Sequence, residues 1–335
     1  MASMKDVAKL AGVSTSTVSR VISKTMFVDD KTKARVEEAI KKVNYRPNLV
    51  ARGLRSKSGN LIGLLVPEVI HTTFAFFIKY IEESVARYGF NLILCNTHND
   101  PETEELFIDS LLRRNVDGII FSRVSDKSRV LRILENTNVP IVVIDRALGS
   151  ENVHIPAVLL DNYKAGCMAA EYLVSCGHTE IACITGPLDI LLSRDRLEGF
   201  RATLEKHSIN LKNELVCEGD FKFDSGKKAI DCLMAAKKRF SAVWAQSDLM
   251  AIGVMREFSR LGFSLPDDVS VIGMDNTNLV EMVTPTLTTI AQPFQDMCDT
   301  AVDLIMRKIS DGEDILYKRV VLDPVLMVRE SVKKV

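Results

Sequence analysis

No stretch of this 335-residue chain reaches the roughly 18 uninterrupted apolar residues that a membrane-spanning helix requires, so no membrane is expected among its partners. The start, MASMKDVAKLAGV, carries charges at Lys5, Asp6 and Lys9 and lacks the apolar centre of a secretory signal, which points to a cytoplasmic location. No C-x-x-C pair occurs among the seven cysteines, Cys95, Cys167, Cys176, Cys183, Cys217, Cys232 and Cys298. They are odd in number and scattered, most in apolar runs such as EIACITG, where a thiol packs as a small hydrophobe; reduced thiols with no metal or catalytic role are expected. Also missing are G-x-G-x-x-G, H-E-x-x-H and G-x-S-x-G, which removes the usual marks of dinucleotide binding, zinc proteolysis and serine hydrolysis. GDFKFDSGKK comes nearest to a phosphate loop, but Gly219 and Gly226 are too far apart and no Ser or Thr follows the lysines. The chain therefore reads as a non-enzyme with no cofactor.

Charge is present, and it is uneven. The whole chain is nearly neutral, with 43 Lys and Arg against 44 Asp and Glu, yet its first 58 residues hold 13 basic and 5 acidic side chains. A small basic module joined to an acidic body suggests a nucleic-acid partner for the module. The length exceeds one ordinary core and implies two or three domains.

The basic segment resolves into short helices. MKDVAKLAG places Val7, Ala8, Leu10 and Ala11 at helical spacing and ends on Gly12, which can turn with positive φ. Ser14 is a suitable N-cap for a second helix. Within GVSTSTVSRVI, at about 100° per residue, Val18, Val21 and Ile22 share one face, while Ser16 and Arg20 point the other way, flanked by Thr15 and Ser19. Two short helices across a tight glycine turn make a helix-turn-helix, with the hydroxyls and one arginine outward. A third helix, capped by Asp29 or Asp30, brings Val36, Ala39, Ile40 and Val43 to close the core and ends before Pro47. PNLVARGLRSKSGN then forms a short helix and a polar linker; so short a helix needs its twin or DNA to fold against.

D-V-A-x-x-A-G-V-S-x-x-T-V-S-R, followed by N-Y-x-P-N-x-x-A-R-x-L, resembles the headpiece and hinge of the lactose/galactose repressor (LacI/GalR) family. The resemblance implies that Thr15, Ser16 and Arg20 read bases in the major groove. It implies that Leu54 wedges into the minor groove, with Asn48, Arg52 and Arg55 as further DNA contacts. Arginine suits bidentate bonding to a guanine edge, and an inserted leucine trades unstacking for a bent, better-wrapped site.

From Leu61 the apolar runs LIGLLVP, NLILCNT, GIIFS and PIVVID alternate with amphipathic helical stretches, and after RALGSENVHIPA the pattern restarts with AVLLD, EIACITG, SAVWAQS and VSVIGMD. This is the pattern of an α/β protein with doubly wound parallel sheets. The family resemblance adds a periplasmic-binding-protein-like body of two such subdomains and a crossing near TPTLTTIAQP. The expected division is a helix-turn-helix headpiece at 1–46, hinge helix and linker at 47–60, and a body at 61–330. Within the body, 61–156 with 288–316 form the first subdomain, and 157–287 with 317–330 the second.

Two such sheets face their strand ends across a cleft where ligands sit. By resemblance Asp145, Arg146, Arg196, Asp275 and Gln292 bond vicinal hydroxyls there, and Phe74 and Phe221 cover the apolar side of a sugar ring. Ser247 completes the expected effector set, standing where sugar-type sites usually carry Asn; His71-Thr72-Thr73-Phe74 replaces the commoner Asn-Pro-Phe-Phe. Carboxylate and guanidinium groups can accept from and donate to one diol, whereas a purine fits less well. I-D-R and D-R-L-x-G-F together suggest a pentose or ketose such as ribose or fructose. His71 reads as a packing or surface residue and Trp244 as core.

The expected protein is a homodimeric repressor on double-stranded operator DNA, released or recruited by a small sugar. RESVKKV carries no heptad tail, so no coiled-coil tetramer is expected. Two alternatives share the body: a solute-binding protein serving a sugar transporter, and a regulator controlled by a phosphoprotein or by a purine or sugar-phosphate co-repressor.

Overall fold

A computed structural model describes residues 2–23, 27–45, 59–123, 133, 137–146, 155–316 and 318–335. Contacts divide the chain into two compact units, Met1–Gly59 and Asn60–Val335.

In the first unit, α1 (Met4–Ala11) opens on a capping box in which Ser3 and Asp6 satisfy each other's backbone amides, and it closes on Gly12 at φ 63°. The turn delivers Ser14, whose Oγ accepts from the Thr17 amide at 3.1 Å and starts α2 (Thr15–Ser23). Asp29 caps α3 (Asp30–Lys42) through the Thr32 amide at 2.9 Å. Val7, Ala8, Ala11, Val18, Val21, Val36 and Ala39 make the buried core, with Ile22, Ile40, Val43 and Tyr45 packed at its edge. Arg35 of α3 ties the bundle together by donating to the carbonyls of Ala11 and Gly12, which α1 leaves without helical partners.

The second unit holds two six-stranded sheets. Strands β1 (Leu61–Val66), β2 (Asn91–Asn96), β3 (Gly118–Phe121), β4 (Ile141–Ile144), β5 (Ala157–Leu160) and β11 (Arg319–Leu322) form the first, in the order β11-β5-β4-β3-β1-β2, all parallel. The second contains β6 (Ile181–Thr185), β7 (Val216–Glu218), β8 (Ala242–Ala245), β9 (Ser270–Asp275), β10 (Thr288–Ala291) and β12 (Val325–Met327), in the order β12-β10-β9-β8-β6-β7. Only β10 and β12 pair antiparallel there. Buried side chains alternate between opposite faces, Leu64, Ile120, Val142 and Ile144 on one side of the first sheet and Leu65, Ile119, Phe121 and Val143 on the other. Both faces are therefore covered, by α4 (Thr72–Arg87), α5 (Pro101–Arg113) and α10 (Phe294–Asp311) on the first sheet. The second carries α6 (Asn162–Ser175), α7 (Leu191–Lys206), α8 (Phe223–Ala235) and α9 (Asp248–Arg260). Trp244 is fully buried in β8 with its ring 4.6 Å from that of Phe200.

The sequence placed the crossings between sheets wrongly in three places. AVLLD is not the start of the second subdomain: β5 pairs with β4, Ile144 opposite Val158, and the chain crosses only after Asp161. TTIA, expected in the first subdomain, pairs with β9 as β10, Ile290 opposite Met274. Of the last two strands, both assigned to the second subdomain, β11 pairs with β5 in the first sheet and only β12 joins the second. An apolar four-residue run looks the same whichever sheet receives it, because its partner is set by non-local pairing. Helix α10 does return to the first subdomain, where Phe294 stacks on Phe76 at 5.1 Å.

The cysteines also differ from expectation. Cys217 on β7 and Cys232 on α8 form a disulfide, while Cys95, Cys167, Cys176, Cys183 and Cys298 are free thiols. Fifteen residues separate the pair in sequence, and only the packing of α8 on β7 brings them together.

Candidate functional site: a cleft between two sheets and a helix face

A cavity of about 480 Å³ opens where the carboxyl ends of the two sheets meet. Its walls are the segments after β1, β2, β4, β6, β7, β8, β9 and β10, as the geometry of doubly wound sheets requires. Arg196, on α7, lies at its floor, 3% exposed. Its Nε donates to Asn162 Oδ1 at 2.8 Å and one terminal nitrogen to the Gln246 carbonyl at 3.0 Å, which fixes the plane of the guanidinium. Burial works against that charge, while Asp275 and Asp145 sustain it. Asp275 is pushed up to about 6, by burial first, against the lowering pull of Arg196 and of Gln292, whose Nε2 donates to it at 2.6 Å. Burial also raises Asp145, against the charges of Arg146 and Arg196 and the Ser122 hydroxyl. Arg146 bonds the Arg123 carbonyl at 3.0 Å and lies over the Phe74 ring, its guanidinium carbon 5.5 Å from the ring centre.

Three of these residues sit in the left-handed region that side chains other than glycine avoid: Asp145 at φ 72°, Phe221 at φ 64° and Asp275 at φ 118°. Strain of this kind costs on the order of 1–3 kcal/mol per residue and persists where the surroundings over-determine it, commonly at binding sites. Here it aims two carboxylates and one aromatic ring at the same cavity.

In the first unit, Thr15, Ser16 and Arg20 are exposed along α2 and, with Met4 and Ser19, border one shallow recess. Val18 faces the opposite way and is fully buried. The helix thus presents a rim of short hydroxyls and a guanidinium on a rigid three-helix support. Asn48, Arg52, Leu54 and Arg55 lie outside the described residues.

Residues 3–48 match the family described as bacterial regulatory proteins, lacI family, and residues 170–332 match the periplasmic binding protein-like domain. The chain is 37% identical to the HTH-type transcriptional repressor PurR of Vibrio vulnificus over 338 residues, covering 100% of both chains. It is 37% identical to the ribose operon repressor of Escherichia coli K12 over 333 residues, 99% of this chain and 100% of that one. The lac repressor dimer bound to operator and the anti-inducer ONPF superposes with a TM-score of 0.89 at 28% identity, with 99% of each chain covered.

The chain belongs to the LacI family. As a LacI-family protein it is a DNA-binding transcriptional repressor controlled by a ligand, and the relatives it matches are repressors rather than enzymes. Among the described residues no helix is long and apolar enough to cross a membrane.

Within this LacI-family body the structure gathers Phe74, Asp145, Arg146, Arg196, Phe221, Asp275 and Gln292 around the one cavity. It does not bring Ser247 there. Ser247 caps α9, its Oγ accepting from the Met250 amide at 3.2 Å and donating to the Phe221 carbonyl at 3.2 Å, so its short side chain is fully engaged below the surface. Its neighbour Gln246 lines the cavity instead, held by the Gly186 amide and the Ser193 carbonyl. His71, read from the sequence as a packing or surface residue, is also a wall residue. Burial pulls its imidazole down to about 4, so it is neutral at physiological pH.

Glu68, Thr73, Asn99, Asp189, Asp220 and Lys222 complete the polar rim and were not singled out by sequence. One signal could have found them: each lies a few residues beyond the carboxyl end of a strand, on the side where ligands bind.

Proposed function

We propose that this LacI-family repressor responds to a neutral sugar, a pentose or ketose such as ribose or fructose, bound in the cleft between its two subdomains. The observation that carries this reading is the setting of buried carboxyl groups beside buried guanidinium groups, Asp145 with Arg146, whose Nε stands 3.8 Å away, and Asp275 within electrostatic reach of Arg196, next to the rings of Phe74 and Phe221. Each pair offers an acceptor and a donor to neighbouring hydroxyls, and the rings cover an apolar sugar face. The wall holds five carboxylates, Glu68, Asp145, Asp189, Asp220 and Asp275, against three cations, Arg146, Arg196 and Lys222. That excess opposes a phosphate dianion. Arg194, which the sequence sets two residues from Arg196, is exposed, donates to the Leu188 carbonyl at 2.8 Å and is not among the residues that line the cavity.

In the same proposal a homodimer in the cytoplasm holds two headpieces on a two-fold operator. Thr15, Ser16 and Arg20 read the major groove, and Asn48, Arg52, Leu54 and Arg55 engage the hinge site. Closure of the cleft changes operator affinity, and operator changes sugar affinity by the same factor. A purine effector is the second reading, favoured by the relatives that carry the name PurR. Identity alone does not choose, since the ribose operon repressor stands at the same 37%.

Thermal melting with D-ribose, D-fructose, D-ribose 5-phosphate, hypoxanthine and guanine separates the readings, because a ligand selective for the native state raises the melting temperature. The neutral sugars are expected to stabilise and the phosphate not; stabilisation by a purine alone overturns the sugar assignment.

A further inference from the structure

Two polar side chains from different subdomains meet on a single atom. His71 follows β1 in the first subdomain, and Ser247 follows β8 in the second. The Phe221 carbonyl oxygen accepts from both, with His71 Nε2 at 3.3 Å and Ser247 Oγ at 3.2 Å. The Met250 amide at the start of α9 holds Ser247 in turn. The arrangement is therefore anchored in the second subdomain and reached from the first.

Tautomer and ring contacts agree with a bridge. A carbonyl can only accept, so the single proton of the neutral imidazole sits on Nε2. Nδ1 is left buried without a hydrogen-bond partner among the described residues. The His71 ring meets the Phe221 ring edge-on at 6.4 Å and the Phe74 ring at 5.7 Å, so it packs on both subdomains at once.

We propose that His71, acting on the Phe221 carbonyl that Ser247 holds in place, is the latch that keeps the two subdomains closed and thereby sets effector affinity. This rests on the cleft being the effector site. Opening moves the carboxyl ends of the sheets apart and breaks the His71 contact, while the Ser247 contact lies within one subdomain and survives. A contact made in only one of two states shifts their populations by its whole free energy. Because both polar groups turn to a protein carbonyl, the recognition of ligand hydroxyls falls to Asp145, Arg146, Arg196 and Asp275. His71 is a positioning residue for that site.

The test uses the full chain carrying His71→Ala, His71→Gln or Ser247→Ala, with small-angle X-ray scattering on ligand-free protein and calorimetric titration of D-ribose. His71→Ala should raise the radius of gyration and weaken D-ribose about five- to tenfold, the effect of losing one neutral hydrogen bond. His71→Gln, whose amide nitrogen can stand at the Nε2 position, should restore both values to within about twofold of the parent. Ser247→Ala should move both in the direction of His71→Ala, and the two together should give less than their summed effects. Parental scattering and parental D-ribose affinity in His71→Ala overturn the latch. Altered scattering in a protein that does not bind D-ribose upholds the latch and removes the sugar.

Discussion

Gly166 on α6 lies directly against the backbone carbonyl of Arg196 on α7, so close that an added methyl group would stand 2.0 Å from that oxygen. Gly199 returns the contact, its own added methyl falling 2.0 Å from the Tyr163 carbonyl. The facing glycines let the two helices cross at backbone contact, and that distance places the Arg196 guanidinium within reach of Asn162 on the opposite helix. Gly166→Ala is therefore expected to force the helices apart, costing about 1–3 kcal/mol of stability and weakening effector binding together. Urea unfolding and calorimetry check the pair; unchanged values in both would show that the crossing has slack.

Removing the guanidinium itself should separate the two functions of the chain. Arg196→Ala leaves Asp275 and Asp145 with less counter-charge and Asn162 without its donor. The expected result is a body destabilised by about 3–5 kcal/mol that still binds operator in the absence of effector but no longer responds to it. A fully responsive variant would contradict the cleft assignment.

Stability should fall as pH rises from 7 to 8.5. Asp248 is fully buried, its carboxylate receiving the Thr289 hydroxyl and the Thr277 amide, and it is pushed up to about 8 by burial and then by the charge of Asp275. A carboxyl whose folded pKa exceeds its unfolded value holds its proton more tightly when folded. Its contribution is complete below the unfolded value near 4 and is lost as pH climbs through 8. His71 and His178, both lowered by burial, act below their ordinary value of 6.5 and leave this window unaffected. Scanning calorimetry of the parent and Asp248→Asn checks the sign; the variant should show a flatter profile.

On the headpiece, Arg20→Ala should remove about 1–3 kcal/mol of operator discrimination while leaving salt-sensitive nonspecific binding in place. Equal operator affinity for variant and parent, at one fixed salt concentration, would sink the assignment of α2 as the reading helix.

The headpiece was legible because its signals are local. Gly12 and Ser14 mark a turn and a cap, and the spacing of Val18 and Val21 separates a buried face from a reading face. The alternation of strands and helices in the body was equally open to periodicity. Which sheet receives AVLL, TTIA or RVVL was not, since parallel pairing joins residues far apart in sequence. The cleft showed the same limit. Charged strand-end residues such as Asp145 and Asp275 announce themselves, but the engagement of Ser247 depends on a carbonyl 26 residues earlier in the chain. His71 depends on that same carbonyl 150 residues later, a relationship no window of sequence contains.

Fluorescence anisotropy of a labelled operator, titrated with the full-length protein at constant salt with and without saturating D-ribose or D-fructose, tests the central claim most directly. The account predicts a shift in operator affinity of about 5- to 150-fold, the usual range of allosteric coupling, with one of these sugars. The same operator affinity with and without either sugar, beside a shift with a purine or a sugar phosphate, would contradict it.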